Sequence, residues 1–138
     1  MRALVQRVSR AEVRVDGEVT GSIGPGLCVL LGVGPDDTEA TAEKMAAKLQ
    51  ALRIFEDSEG RMNDALGERE VLCVSQFTLY GDTKKGTRPS FTGAAPPELA
   101  EPLWEKVCEL LGSQRGVFGA TMEVELVNDG PVTLMVEV

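Results

Sequence analysis

Short apolar stretches dominate the first third of the chain and predict β-strands. Residues 4–8 are typical of a strand, and residues 11–15 place an apolar side chain at every second position. Because Asp16-Gly17 is a favoured two-residue turn, we expect a hairpin into a strand over residues 18–23. Residues 27–33 are apolar at consecutive positions, which predicts a central strand that is buried on both faces.

Apolar residues at helical spacing predict two helices. Asp36 and Glu39, three positions apart, indicate a capping signal for the first helix. The second helix is expected over Glu98–Leu111, with Pro102 in its first turn and Gly112 just beyond its end. The inward faces are expected to carry Ala42, Met45, Ala46, Leu49 and Leu52 in the first helix, and Leu99, Leu103, Val107 and Leu110 in the second.

The middle of the chain alternates between short strands and polar segments. A short strand at Ile54-Phe55 precedes a polar loop over residues 56–66, and residues 71–77 form a mostly apolar strand. Residues 81–97 are rich in Gly, Pro, Thr and Lys, which predicts a long loop. A loop of this length in a small domain is usually functional or disordered.

The last part of the chain predicts two further strands. Residues 122–126 alternate apolar and acidic side chains, and residues 128–131 are expected to turn the chain into a final strand over residues 132–138. The elements together predict one compact α/β domain over residues 1–138. Its strand-rich sheet is expected to be mixed or antiparallel and barrel-like, with two main helices.

The absence of histidine restricts the chemistry more than any other feature of the composition. It excludes Ser-His-Asp and Cys-His catalysis and most catalytic zinc sites. Cys28, Cys73 and Cys108 are widely spaced in apolar runs without a CxxC pair, so we expect buried structural thiols and no metal site. No apolar run is long enough to span a bilayer and no signal-peptide pattern is present, so we expect a cytoplasmic protein.

The charge distribution argues against binding nucleic acid along a broad surface. The formal net charge is −8, whereas anionic phosphates attract cationic surfaces. Within residues 75–93, however, two lysines and one arginine against one aspartate give +2. A local basic window in an acidic protein favours an RNA end held at one site over an extended duplex.

The first candidate site is Ser75-Gln76-Phe77-Thr78-Leu79, a polar cluster where a buried strand is expected to end. Strand ends and the loops after them are where rigid scaffolds present reactive groups. The residues alone favour a plainer interpretation, in which the hydroxyls bond nearby backbone, because no neighbouring base is visible to activate Thr78.

The second candidate is Asn128-Asp129-Gly130-Pro131-Val132-Thr133, which by itself reads as a turn between two strands. Only about one X-Pro bond in twenty is cis in folded proteins, so the residues alone favour an ordinary trans turn. Neither motif is specific when taken singly.

The two motifs in this order resemble the two signatures of the D-aminoacyl-tRNA deacylases. The opening residues 1–8 resemble the first strand of that family. Further agreement lies in Arg53-Ile54-Phe55, in Gly60-Arg61-Met62-Asn63 and in residues 85–91. The likeness covers essentially all 138 residues, with no departure at a signature position.

The resemblance implies a homodimer in which the Gly130-Pro131 bond is cis and reaches into the partner's active site. The carbonyl oxygens of the pair would form a main-chain wall that an L-side chain strikes and a D-side chain avoids. Glycine, which has no side chain, would also fit. The implied partner is the 3′ aminoacyl-adenosine end of aminoacyl-tRNA, with no cofactor, no metal and no membrane.

The resemblance also implies roles for the first motif. The ribose 2′-hydroxyl beside the ester is expected to assist hydrolysis, while backbone N–H groups of Phe77 and Thr78 stabilise the developing oxyanion. Ser75 and Gln76 would hold the shape of the pocket and the adenosine. A nucleophilic Thr78 stays open as an alternative.

Four cationic residues are candidates for supporting roles. Lys84, Lys85 and Arg88 would contact acceptor-stem phosphates, although a solvated surface is the plainer interpretation of a short basic loop. Arg7 would brace the Gly-Pro loop across the dimer.

Two rival functions follow from the same residues. A non-catalytic nucleic-acid-binding module would use the pocket for a strand end and leave the ester intact. An unrelated threonine-dependent esterase would cleave simple esters and would not need the 2′-hydroxyl of the tRNA.

Overall fold

The fold is organised around β1, a long strand that pairs along both of its edges. The computed structural model describes all 138 residues. Its main sheet comprises β1 (Arg2–Val15), β2 (Glu18–Ile23), β3 (Gly26–Gly32), β6 (Glu70–Ser75), β7 (Gln114–Arg115) and β8 (Glu123–Glu137). The order is β2-β1-β3-β6-β7, and β8 pairs with β1. The β3-β6-β7 pairs are parallel and the others antiparallel, so the predicted mixed sheet is confirmed.

Two helices cover one face of this sheet. Buried side chains of α1 (Glu39–Ala51) and α2 (Pro97–Leu111) join those of β1, β3 and β6 in the larger hydrophobic core. Its fully buried members include Val5, Leu27, Val29, Leu31, Met45, Leu49 and Val107. The central position predicted for residues 27–33 is confirmed, because β3 lies between β1 and β6 and is buried on both faces.

A smaller core fills the opposite side, where the sheet curls toward closure. It comprises Val8, Ala11, Val13, Ile23, Cys28, Leu72 and Val74. The edge strands β2 and β7 approach closely: a Cβ added to Gly21 would lie 2.9 Å from the carbonyl oxygen of Arg115. Glycine is therefore required at this seam, and the barrel-like expectation is confirmed.

The segment predicted as a turn at residues 128–131 is instead part of β8. Both halves of β8 pair with β1, from Arg14↔Glu123 to Arg2↔Glu137, and the register shifts where residues 129–132 bulge out. The hairpin expectation is wrong because the two halves share β1 as their partner and do not pair with each other. In the same way, residues 4–8 and 11–15 are a single strand.

The helix ends also differ from expectation. The cap of α1 is Thr38, whose side chain accepts from the N–H of Thr41, and not the Asp36–Glu39 signal. The second helix begins at Pro97, so Pro102 lies inside it, beyond the first turn. Leu110 is 41 % exposed, and Trp104 takes a buried place that was not predicted. Neither helix is long and apolar enough to cross a membrane.

The polar segment after residue 54 contains a second, two-stranded sheet. Phe55–Glu56 (β4) pairs with Met62–Asp64 (β5), so the expectation of an irregular loop over residues 56–66 is wrong. Asp57 closes the turn by accepting from the N–H groups of Glu59 and Arg61. These hydrogen bonds lower the pKa of Asp57. They are local side-chain-to-backbone bonds that apolar periodicity does not report.

Candidate functional site

A 3-10 turn over Phe77–Tyr80 follows β6 and carries the first motif. The strand ends at Ser75, two residues before the predicted Phe77, although the N–H of Gln76 still donates to the oxygen of Leu31 at 2.7 Å. In the turn, the N–H of Leu79 donates a hydrogen bond to the backbone oxygen of Gln76, and the N–H of Gly81 donates one to the backbone oxygen of Thr78. Because the first N–H groups of such a turn have no acceptor within it, those of Phe77 and Thr78 remain available.

The turn borders an apolar pocket of about 610 Å³. Buried Val33, Val74, Ala95 and Ala100 contribute to its lining. The remaining lining residues are Ser75, Gln76, Phe77, Phe91, Ala94, Pro96, Pro97, Phe118, Gly119, Ala120, Met122 and Val124. None of the sixteen carries an Asp, Glu, Lys, Arg or Cys side chain. The pocket therefore offers no side chain that acts as a general base near neutral pH.

Thr78 is exposed and does not line the pocket itself. Its Oγ1 accepts a hydrogen bond of 2.5 Å from the Nε2 amide of Gln76. An amide donor draws on the lone pairs of the hydroxyl and does not remove its proton, so it does not activate Thr78 as a nucleophile.

Arg2 and Tyr80 hold the far end of the turn, and sequence reasoning missed both. The Nη1 of Arg2 donates to the oxygen of Leu79 at 3.0 Å, and its guanidinium carbon lies 4.5 Å from the centre of the Tyr80 ring. Burial, followed by the field of Asp37, raises the pKa of Tyr80. These contacts join the first strand to the turn, and no local motif signals a contact of such separation.

The Gly-Pro motif forms the bulge in β8. The Gly130-Pro131 bond is cis, so the trans geometry favoured by the residues alone is wrong. Asn128 frames the bulge: its Oδ1 accepts from the N–H of Val132 at 3.2 Å, and its Nδ2 donates to Oγ1 of Thr133 at 2.8 Å. The spacing of the motif is thus explained by a side chain that bonds across its own bulge.

Arg7 contacts this bulge within its own chain. Its side chain is buried, and Nε donates to the oxygen of Asp129 at 3.1 Å while Nη1 donates to the oxygen of Ile54 at 2.8 Å. Gly130 has a φ of +124°, and a Cβ there would lie 3.0 Å from Nη2 of Arg7. Gly130 and Pro131 are exposed and are absent from the lining of the apolar pocket of their own chain.

The loop between the 3-10 turn and α2 carries the three cationic candidates. It spans residues 81–96 and is pinched at its base, where Asp82 and Ser90 exchange two backbone hydrogen bonds of 2.8 and 2.9 Å. Lys84, Lys85 and Arg88 lie exposed beyond this pinch. Phe91 follows it directly and meets Phe77 in an edge-to-face pair with ring centroids 5.3 Å apart.

Part of the pocket was not foreseen from the sequence. Phe118, Ala120 and Met122 come from the segment between β7 and β8, and Val124 comes from the start of β8. Phe118 packs against Trp104 at a centroid distance of 5.8 Å. Single apolar residues in an irregular segment give no periodic signal, so only the packed fold identifies them.

Comparison with known proteins identifies the family. Residues 4–137 match the family described as D-Tyr-tRNA(Tyr) deacylase. A D-aminoacyl-tRNA deacylase of Anaeromyxobacter dehalogenans is 60 % identical, with 99 % of this chain and 97 % of the relative covered. One of Desulfatibacillum aliphaticivorans is 59 % identical, with 99 % of each covered.

Solved structures agree. One titled c-Myc DNA Unwinding Element Binding Protein has a TM-score of 0.94 and 43 % identity, with 100 % of this chain and 99 % of that chain covered. A probable eukaryotic D-amino acid tRNA deacylase has a TM-score of 0.87 at 17 % identity, over 99 % of this chain and 98 % of the other, and shows the fold alone. The profile match and the two curated relatives, each spanning almost the whole chain, show that this chain belongs to the D-Tyr-tRNA(Tyr) deacylase family.

Proposed function

We propose that this protein hydrolyses the ester bond of D-aminoacyl-tRNA and of mischarged glycyl-tRNA, releasing the amino acid and the tRNA. The observation that carries the proposal is the Phe77–Tyr80 turn, which places available N–H groups beside an apolar pocket that has no ionisable side chain. Such a pocket suits a substrate that supplies its own reactive hydroxyl. Since charged tRNA is consumed in the cytoplasm, we expect the protein to act there.

The ribose 2′-hydroxyl helps to activate a water molecule, whose oxygen adds to the ester carbonyl. The bond between the carbonyl carbon and the ribose O3′ then breaks, O3′ takes up the proton, and the free amino acid leaves. A hydroxyl already held beside the reacting carbonyl has a large proximity advantage, worth up to about 7–11 kcal/mol in well-oriented systems. The N–H groups of Phe77 and Thr78 stabilise the negative charge on the carbonyl oxygen, an effect worth about 3 kcal/mol per donor. Ser75 and Gln76 shape the pocket around the adenosine, and Thr78 orients the ester without attacking it.

Selection between D and L depends on a second copy of the chain. The Gly130-Pro131 pair is exposed and does not line the pocket of its own chain, which supports an active site completed by the partner's pair. The backbone oxygens of the pair form a wall that rejects L-side chains regardless of their chemistry. Glycine passes the same wall, so we expect glycyl-tRNA to be a substrate as well.

Two surface features support the homodimer. β8 is 15 residues long, and it has no strand of this chain along its outer edge; native proteins usually cover an edge of that length. In addition, Met135, Leu4, Leu30 and Val74 lie side by side on β8, β1, β3 and β6. Met135 is 48 % exposed, and Val74 lines the pocket, so this apolar row leads from the open surface to the site.

The loop over residues 81–96 contacts phosphates of the acceptor stem through Lys84, Lys85 and Arg88. These residues are exposed in a chain whose overall net charge is −8, so the attraction for RNA is concentrated at this loop. Each lost phosphate contact lowers the slope of log affinity against log salt by about one. Binding of a non-hydrolysable aminoacyl-tRNA analogue by Lys84→Ala/Lys85→Ala, titrated with salt, is expected to show that change. An unaltered slope would exclude these contacts.

The function is tested with matched D-Tyr-tRNA and L-Tyr-tRNA. The protein is expected to deacylate the D-ester and spare the L-ester, and Pro131→Ala is expected to discriminate less. D-Tyr-tRNA that ends in 2′-deoxyadenosine is expected to resist hydrolysis, whereas Thr78→Val retains part of the activity. If Thr78→Val is inactive and the deoxy substrate is cleaved normally, Thr78 is the nucleophile and the 2′-hydroxyl route is wrong.

One observation favours a second candidate, a nucleic-acid-binding module. The solved relative at 43 % identity is named for binding a DNA unwinding element. A module of that kind would bind the strand end and leave both esters intact. Binding without cleavage of D-Tyr-tRNA by folded dimer would therefore favour this candidate over the hydrolase.

A further inference from the structure

Two aromatic rings at the mouth of the pocket have no role in the chemistry proposed above. The chain has one Trp, one Tyr and four Phe residues, and of these six only Phe77 and Phe91 are exposed, at 55 % and 39 %. Their edge-to-face arrangement, with an interplanar angle of 74°, leaves ring faces uncovered by the neighbouring ring. Exposed aromatic faces beside a binding pocket are suited to stacking against a flat ligand.

Their position identifies what such a ligand is attached to. Both rings line the pocket, and Phe91 also stands directly after the Asp82–Ser90 pinch that leads to the basic end of the loop. A polynucleotide that leaves the pocket toward Lys84 and Lys85 therefore passes over Phe91. Single-stranded nucleic acid is commonly bound by this combination, in which aromatic rings stack on bases and neighbouring cations contact the backbone.

We infer that Phe91, supported by the edge contact with Phe77, forms a stacking subsite for the base of the nucleotide that precedes the terminal adenosine, which is a cytidine because tRNA ends in -CCA. This inference rests on the proposed function and adds a nucleotide to the substrate that the site recognises. Stacking requires a π-face and no particular hydrogen-bonding edge, so the subsite tolerates any base. It orders the single-stranded end and thereby directs the ester toward the N–H groups of the turn.

The inference is tested by comparing D-Tyr esters of adenosine and of the dinucleotide CpA. The wild-type protein is expected to have a higher kcat/KM for the dinucleotide ester. Phe91→Leu, which keeps an apolar side chain and loses the ring, is expected to lower that preference about tenfold, since base–aromatic stacking is worth about 1–3 kcal/mol. Phe91→Trp is expected to keep the preference. Phe118→Leu, a change in the pocket lining, is expected to lower kcat/KM equally for both esters.

The outcomes separate this inference from the proposed function. If the wild-type protein cleaves D-Tyr-tRNA but shows no preference between the two esters, the function stands and the subsite does not exist. If Phe91→Leu lowers kcat/KM equally for both esters, Phe91 contacts the aminoacyl-adenosine and the inference is wrong. A wild-type measurement with a D-Tyr ester that carries an abasic sugar in place of cytidine is independent of variant folding. Normal kcat/KM with that ester would also overturn the inference.

Discussion

Replacing Arg7 by Met is expected to destabilise the protein by about 3 kcal/mol. Arg7 is only 8 % exposed, and its guanidinium donates to the backbone oxygens of Ile54 and Asp129. Hydrogen bonds from charged groups contribute about 1.5–3 kcal/mol each, and the oxygen of buried Ile54 would lose its partner. The Asp129 carboxylate lies 3.7 Å from Nε of Arg7 but is 59 % exposed, so solvent screening leaves this ion pair only a small contribution to stability.

Urea unfolding at one fixed protein concentration measures this loss, because the stability of the proposed homodimer would depend on concentration. Arg7→Lys is expected to recover only part of the lost stability, since an ammonium group cannot donate in the same geometry as the guanidinium to both backbone oxygens. The matched control is Arg10→Met, which removes a 56 % exposed arginine and its 3.3 Å ion pair with Glu125. This control is expected to cost less than about 1 kcal/mol. A loss in Arg7→Met no greater than in Arg10→Met would refute the reasoning.

Three further predictions follow from packing and ionisation. Gly26→Ala is expected to lower the free energy of unfolding, measured by thermal unfolding, by about 3 kcal/mol or more, because the new Cβ would lie 1.8 Å from the backbone oxygen of Glu70. Gly24→Ala is the mild control, because its Cβ would meet only a side-chain oxygen of Glu70, at 3.6 Å. Burial raises the pKa of Cys28 from 9.0 to about 11, so its contribution to stability is complete below about pH 9 and is lost as the pH rises toward 11. The fall in Tm over that range is expected to be shallower in Cys28→Ala; equal slopes would contradict this. The pH profile of kcat/KM for D-Tyr-tRNA is expected to show one inflection near pH 7–8, because the α-ammonium of the substrate titrates there with a pKa of about 7.7–8.0. A second inflection would contradict this and indicate a base on the protein.

Local turn chemistry explains where sequence analysis succeeded. The hairpin between β1 and β2 was predicted from Asp16-Gly17, and both residues have positive φ, at 50° and 81°. This is the backbone geometry that a two-residue hairpin turn requires. The hairpin is encoded by adjacent residues and does not depend on the rest of the fold.

The same turn chemistry led to a wrong prediction at residues 128–131, where turn-forming residues make a bulge in β8 and not a turn between two strands. A hairpin turn and a bulge use similar residues, and the choice between them depends on which strand the flanking segments pair with. Here β1 accepts both flanking segments, a fact that no window of sequence contains. The pocket shows the same limit: Ser75, Gln76 and Phe77 came from a motif, whereas Phe118 and Arg2 reach the site by long-range packing.

The double pairing of β1 also has a consequence for how the chain folds. One edge of β1 is covered early by β2 and β3, which follow within the first 32 residues. The other edge is covered only by β8, through pairs such as Arg2↔Glu137. Contacts between residues so distant in sequence slow folding, because a long loop must close before they form. During synthesis on the ribosome, β1 therefore presents a bare strand edge for most of the elongation time, the interval in which this protein is most exposed to aggregation.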